Sequence, residues 1–311
     1  MKRILVTGGA GYIGSKLVTH LLDLNFKVTV LDILKFSSIS LNHLFNNKNF
    51  IFIKGDVRNK KLMKNLVAKN EYIIPLAALV GAPICEKNKR EAISVNLESI
   101  NYLMENISRK NKIIYLTTNS GYGIGKKNKY CDEDSPLNPI SLYGRTKVQA
   151  EKKIMESRNS IGFRLATVFG YSYRMRTDLL VNNFVFKSVK EKKLTIYEPH
   201  FRRNYIHIND VVEAIIYAIK NFNMLKHNVF NLGLSTANLT KYNLALKIKK
   251  QLKYLKINII KNKKDPDQRD YFVSNRKIEK RGFKAKITID EGIKELIKVF
   301  SNSNDKIINN Y

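Results

Sequence analysis

Short apolar runs alternate with helix-period stretches through the first half of the chain. RILVTG (3–8) reads as a strand, and the following IGSKLVTHLLDL gathers its apolar residues on one helical face. KVTVLD (27–32) and FIFIKGD (50–56) give a second and a third strand, and residues 60–69 a helix. EYIIPLAAL (71–79) is a fourth strand, and Glu91 to Ser108 a long helix. KIIYLTT (112–118) is a fifth strand, Leu142 to Ser157 another helix, and IGFRLATVF (161–169) a sixth strand. Strands apolar on both faces and separated by helices predict a parallel sheet covered on both sides, a doubly wound α/β architecture.

After Gly170 the pattern loosens. A helix near Leu179–Glu191, the segment HFRRNYIHINDVVEAIIYAI (200–219), the run HNVFNLG (227–233) and a helix near Lys241–Leu252 follow. The 209–220 helix, with Asn209 or Asp210 placed to cap it, and the strand VFNLG are expected to rejoin the first sheet. The expected division is therefore 1–169 as one domain with 204–232 returning to it, 170–203 and 233–300 as a smaller C-terminal lobe, and 301–311 as a polar tail.

Composition changes this picture little. The 44% hydrophobic content is that of an ordinary globular protein. No apolar run approaches the roughly 20 residues needed to cross a bilayer, and Met1-Lys2-Arg3 leads straight into a strand, so a cytoplasmic protein without a membrane partner is expected. Cys85 and Cys131 form no close-spaced pair and the five histidines show no ligand spacing, so neither a disulfide framework nor a metal site is indicated. The net charge of +30 could mark a nucleic-acid binder. Lysine is spread over nearly every segment, however, and no nucleic-acid-binding motif accompanies it, so no nucleic-acid partner is expected. Such an excess still steers acidic small substrates.

The chemistry begins at the first strand. RILVTG runs into GGAGYIGS, placing Gly8, Gly11 and Gly14 between a strand and a helix, with Tyr12 and Ile13 in the turn. Glycines let a backbone approach a pyrophosphate held by the helix N-terminus, the Rossmann dinucleotide pattern. Asp32 ends the second strand eighteen residues beyond Gly14, where a carboxylate accepts from an adenosine ribose and repels a 2′-phosphate, favouring NAD. Asp56, in KGDV with Val57, could accept from the adenine amino group. Further on, Tyr143 and Lys147 in YGRTK stand four residues apart at the start of a helix, on one face. A nearby ammonium, together with an oxidised nicotinamide, would lower the phenol pKa and make Tyr143 a usable base.

As a set, TGGAGYIGS, Asp32, GDV at 55–57, LAAL at 76–79, Asn96, Thr118, YGRTK, RRNYIHINDVV and FNLG resemble the extended short-chain dehydrogenase/reductase family, the NAD-dependent sugar-nucleotide epimerases and dehydratases. The resemblance runs to about Phe300. It implies that Leu76, Ala77, Ala78 and Asn96 line the NAD site and that Lys147 also holds the nicotinamide ribose. By the same resemblance Tyr143 takes the proton from a sugar hydroxyl while Thr118 hydrogen-bonds that hydroxyl, and Arg203 and Arg269 clamp the substrate diphosphate. It further implies a homodimer through helices 91–108 and 142–157. Pro75 stands where many members carry a histidine, and Ala166-Thr167 where many carry an asparagine.

Within the family, dehydratases place Asp-Glu directly after the threonine; here those substrate-facing positions are Asn119 and Ser120. Neither serves as a carboxylic acid or base, so dehydration is disfavoured, while 4-epimerisation and 4-oxidation need only the residues present. LAALVGAPIC, TNSGYGIG, FRLATVFG, HFRRNYIH, LSTANLTK and DPDQRDYFVSN are similar to the bacterial GDP-heptose 4-dehydrogenases of capsular-polysaccharide pathways. That likeness implies oxidation of GDP-D-glycero-D-manno-heptose to its 4-keto form, with 2-oxoglutarate as hydride acceptor. A UDP- or GDP-sugar 4-epimerase is the alternative, and a non-catalytic NAD-binding scaffold a remote one.

Overall fold

A computed structural model describes residues 1–36, 39–125, 129–260 and 269–302. The polar tail expected at 301–311 lies, from residue 303 on, outside the described residues. Seven parallel strands form the central sheet, among them β1 (Arg3–Thr7), β2 (Lys27–Asp32), β3 (Phe50–Lys54), β4 (Tyr72–Pro75) and β5 (Lys112–Thr118). Their order across the sheet is Asn228–Leu232, Ser160–Leu165, β5, β4, β1, β2, β3. Side chains alternate between two cores. Ile4, Val6, Ile114 and Leu116 face one side, and Leu5, Ile113 and Tyr115 the other, so β1 and β5 are apolar and buried on both faces.

Helices α1 (Tyr12–Asp23) and α2 (Lys60–Lys69) lie between the early strands. At the end of α1, Asn25 adopts a φ of 60°, and the Phe26 N–H reaches the Leu21 carbonyl at 3.0 Å, a left-handed helix stop. The Asn59 side chain caps α2. The expected helix from Glu91 is continuous over residues 89–105 but widens to a π-helical turn at Ser94–Glu98.

Two expectations are corrected beyond β5. The run 161–169 is not one strand: the main sheet takes Ser160–Leu165, and Thr167–Phe169 pairs instead with Tyr205–His207 in a three-stranded sheet completed by Asn238–Thr240. Residues 202–207 therefore do not return to the first sheet, whereas Asn228–Leu232 does, beside Ile161–Leu165. The helix Ile208–Lys220 is capped by His207, whose ring nitrogen accepts the Asn209 N–H at 3.3 Å. Asp210 is otherwise engaged, accepting the N–H groups of Lys286 and Ile287. Small sheets formed by Lys193–Tyr197 with Lys256–Ile260, and by Tyr130–Cys131 with Phe272–Val273, build the remaining lobe with the helices Leu180–Lys190 and Ile289–Asn302. No helix among the described residues is long and apolar enough to cross a membrane, and no His, Cys, Asp or Glu cluster among them could hold a metal ion.

Candidate active site

A cavity of about 410 Å³ opens at the carboxyl ends of the strands, where the strand order reverses between β1 and β4. Gly8 has a φ of 71°, and a Cβ there would lie 2.6 Å from the Ala77 nitrogen. A Cβ on Gly14 would lie 2.3 Å from the Gly8 carbonyl oxygen. These glycines close the loop onto residues 76–78 and tuck the first turn of α1 beneath it. Gly11 caps α1 without a side-chain hydrogen bond, which leaves the first-turn N–H groups to a ligand. Tyr12 and Ile13 line the cavity, but the Tyr12 hydroxyl points away and donates to the Gly170 carbonyl at 2.7 Å.

Asp32 holds its carboxylate at the cavity edge by accepting the N–H groups of Ala10 at 2.9 Å and Leu34 at 2.8 Å. Burial raises its pKa, and those two hydrogen bonds oppose the rise. Asp56 and Val57 line the same end. Arg58 grips the Asp56 carboxylate through Nε and Nη2 and holds its pKa down. Leu76, Ala77 and Ala78 complete the wall, with the Leu76 N–H bonded to the Thr7 carbonyl at 2.9 Å. An uncapped helix start, a glycine cradle and a strand-end carboxylate together fit NAD, the cofactor. When bound, NAD supplies the hydride acceptor and, oxidised, a positive charge.

At the other end of the cavity the Ser141 hydroxyl caps the helix Leu142–Met155 by accepting the Gly144 N–H at 3.1 Å. Tyr143, Lys147 and Glu151 then recur one turn apart. Tyr143 and Lys147 line the cavity with Thr118 from the end of β5. No direct hydrogen bond joins these three. The Lys147 ammonium lies 4.1 Å from the centre of the Tyr115 ring, and the Thr118 hydroxyl bonds the Ser120 hydroxyl at 3.0 Å. Burial pushes the Tyr143 phenol up to about 12, with Cys85 adding to the rise and Arg176 and Arg269 opposing it. Burial likewise pulls Lys147 down to about 7 against the nearby Glu151 carboxylate. The expected lowering of the phenol by the ammonium is thus not supplied by these side chains alone; in their own field desolvation dominates.

Four expected site residues stand behind the wall, not on it. Asn119 and Ser120 fall in a 3₁₀ turn, Asn119–Tyr122, that buries both to 2% exposure or less. Ser120 bonds Thr118, to whose Oγ1 its N–H also donates at 3.1 Å. Asn96 grips the backbone of Leu79, accepting its N–H at 2.8 Å and donating to its carbonyl at 3.0 Å, so it fixes the 76–79 segment rather than lining the site. Arg203 is buried beneath Tyr271, 5.7 Å from that ring, and donates to the Arg202 carbonyl. Arg269 and Tyr271 do line the cavity.

Sequence reading missed Arg174 and Arg176, which line it from the loop YSYRMRTD (171–178). Alternating arginines directly after a strand end were the available signal. It also missed the buried pair behind Lys147, in which Arg164 Nη2 donates to Glu151 at 2.7 Å and Nη1 donates to the Tyr122 hydroxyl at 3.0 Å. Among the described residues the carboxylates on the wall are Asp32, Asp56 and Glu91, the last paired with Lys35 at 2.5 Å. Asp32 and Asp56 belong to the end formed by β2 and β3, and Glu91 is tied to it through Lys35.

Fold and site together define an NAD-binding enzyme of the extended short-chain dehydrogenase class. The profile of the NAD dependent epimerase/dehydratase family matches residues 4–233, and the chain belongs to that family. A Methanocaldococcus jannaschii protein provisionally named a UDP-glucose 4-epimerase is 29% identical over 320 residues, 97% of this chain and 99% of that one. The dTDP-D-glucose 4,6-dehydratase of Dictyostelium discoideum is 29% identical over 75% of this chain, which spans only 58% of the length of that relative. Among solved structures, the UDP-glucose 4-epimerase of Thermus thermophilus in complex with NAD superposes with a TM-score of 0.82 at 23% identity, covering 97% of this chain and 99% of the other. The Bacillus cereus UDP-glucuronic acid 4-epimerase, in complex with UDP-glucuronic acid and NAD, gives 0.84 at 23% identity over 96% and 98%.

Proposed function

We propose that this protein oxidises the C4 hydroxyl of a nucleotide sugar, with GDP-D-glycero-D-manno-heptose, a precursor of capsular polysaccharide, as substrate and the 4-keto sugar as product. The observation that carries this reading is the distribution of acids. Thr118, Tyr143 and Lys147 line the cavity where β5 ends, whereas Asp32 and Asp56 line it where β2 and β3 end, beyond β4 and β1, and Glu91 is paired with Lys35. Tyr143 removes one proton from the sugar hydroxyl, Thr118 orients that hydroxyl, and Lys147 holds the ribose beside them. No described group at that end can also remove a C5 proton and protonate a leaving hydroxyl, as dehydration requires.

The GDP-heptose assignment rests on the segments similar to GDP-heptose 4-dehydrogenases, two of which, LAALVGAPIC and FRLATVFG, contribute Leu76 to Ala82 and Leu165 to Val168 to the cavity wall. Arg269 supplies a guanidinium for the substrate diphosphate, and 2-oxoglutarate would discharge the reduced coenzyme. The enzyme acts in the cytoplasm as a homodimer through helices 91–108 and 142–157, which pack side by side and expose Ile93. A 4-epimerase is the second reading, favoured by the likeness to proteins named as UDP-sugar 4-epimerases. Mixing the purified protein with a GDP-, UDP- and dTDP-sugar panel tests the proposal. NADH absorbance generated with the GDP-heptose alone supports it, and no absorbance change with an isomerised UDP-sugar overturns it.

A further inference from the structure

The loop 171–179 sends Arg174, Arg176 and Leu179 to the cavity wall, and hydrogen bonds stitch its first half to α1. The Ser172 hydroxyl donates to the Tyr12 carbonyl at 2.6 Å and shares a 3.0 Å hydrogen bond with the Ser15 hydroxyl. The Arg174 N–H reaches the same Ser15 hydroxyl at 3.4 Å. The Arg174 side chain thereby stands over the start of α1, 4% exposed, on the cavity wall. Its guanidinium lies 5.1 Å from the centre of the Phe36 ring, four residues beyond Asp32.

Its hydrogen bonding is incomplete. Nη1 donates to the Met175 carbonyl at 3.3 Å, while Nε and Nη2 are buried without a partner among the described residues. Arg176 alongside already has Asp178, gripped through both Nε and Nη2. Asp178 thus bonds Arg176 and not Arg174, and burial together with Arg176 draws the Arg174 pKa down to about 10. A buried cation with two idle donors is costly unless a ligand anion completes it.

We propose that Arg174 is the clamp on the coenzyme diphosphate, closing from the opposite wall over the uncapped N-terminus of α1. The position selects this anion. Arg174 spans the gap between the start of α1 and the loop after Asp32, the adenosine diphosphate half of the cavity. A ribose 2′-phosphate there would meet the Asp32 carboxylate. The planar fork suits two oxygens of a diphosphate, with the helix N–H groups taking others. The proposal rests on the NAD site and is independent of which sugar is oxidised.

Calorimetric titration of NAD, ADP, adenosine, 2′-AMP and GDP into the wild type, Arg174→Met and Arg174→Lys tests it. Arg174→Met is expected to weaken NAD and ADP by about ten- to a hundredfold and to leave adenosine unchanged. Arg174→Lys should recover part of the loss, since it keeps the charge without the fork. Unchanged NAD and ADP affinities overturn the proposal, whether GDP weakens, which would assign the arginine to the sugar nucleotide, or 2′-AMP does. Equal weakening of adenosine and ADP also overturns it. Should Arg174→Met fail to fold, Arg174→Lys decides: a severalfold loss for ADP but not adenosine supports the clamp, and equal affinities contradict it.

Discussion

The wall formed by β1, β2 and β4 reaches the cavity through residues close together in sequence: Gly8 to Gly14 in one loop, Asp32 at one strand end, Leu76 to Ala78 at another. The opposite wall gathers Arg174 and Arg176 from the loop after Phe169, and Arg269 and Tyr271 from nearly a hundred residues further on. The first wall offers backbone N–H groups and one carboxylate in a geometry set by glycines. The second offers guanidiniums in a geometry set by long-range stitching, as in the hydrogen bonds of Ser172 to Tyr12 and Ser15. A diphosphate-bearing coenzyme lies against the first, with Arg174 of the second proposed to close over it; recognition of a second, variable ligand is left to the part of the second wall around Arg269. Relatives that act on different nucleotide sugars can thus share the coenzyme site and vary the residues around Arg269.

Tyr143 stands where the walls meet, and its loss has the largest effect. Tyr143→Phe should lower turnover by about 10²- to 10⁴-fold while NAD affinity stays within a factor of a few; near-normal turnover would remove the tyrosine from the chemistry. Gly14→Ala attacks the first wall alone. Its Cβ would sit 2.3 Å from the Gly8 carbonyl oxygen, so about 1–3 kcal/mol of stability and most NAD affinity should go. Denaturant melts and NAD titration check this, and a variant that binds NAD normally would break the account of the loop.

Only part of these walls was legible beforehand. The parallel strands announced themselves because burial on both faces makes each a continuous apolar run, and the glycine loop because its chemistry is local. The same continuity concealed the switch at Ala166: IGFRLATVF reads as one strand, yet the Ala166 N–H makes the last bond to the main sheet, at 2.9 Å to Leu232, before Thr167 joins another. Asn119 was expected to face the substrate because it follows Thr118; the 3₁₀ turn rotates it inward. Arg174 carries only a weak local signature, the alternating arginines after a strand end, since its place on the wall depends on Ser15, 159 residues away.

Lys147 gives a sharper, signed test of the buried junction. Its folded pKa, near 7, lies below the usual lysine value of about 10.4, so between those values the unfolded chain holds a proton that the folded one has released. Stability is therefore penalised below pH 7 and recovers as pH rises. Relative to Lys147→Met, the wild type should gain up to about 1.4 kcal/mol per pH unit from pH 7 upward, read by urea denaturation at pH 7, 8 and 9. A flat or falling difference would show that the ammonium is not desolvated. The smallest effect tests the second wall: Arg269→Ala should weaken the nucleotide sugar by about tenfold and leave NAD unchanged. Comparable losses for both ligands would mean that Arg269 does not serve the nucleotide sugar alone.

The proposed reaction is a net oxidation: one hydride and one proton leave C4, the ketone is released as product, and no carboxylic acid chemistry takes part. The mass spectrum of the product formed from GDP-D-glycero-D-manno-heptose and 2-oxoglutarate tests it most directly. The account predicts a nucleotide sugar lighter by two hydrogens, accompanied by reduced 2-oxoglutarate. A product lighter by one water, or of unchanged mass with altered C4 stereochemistry, would contradict it.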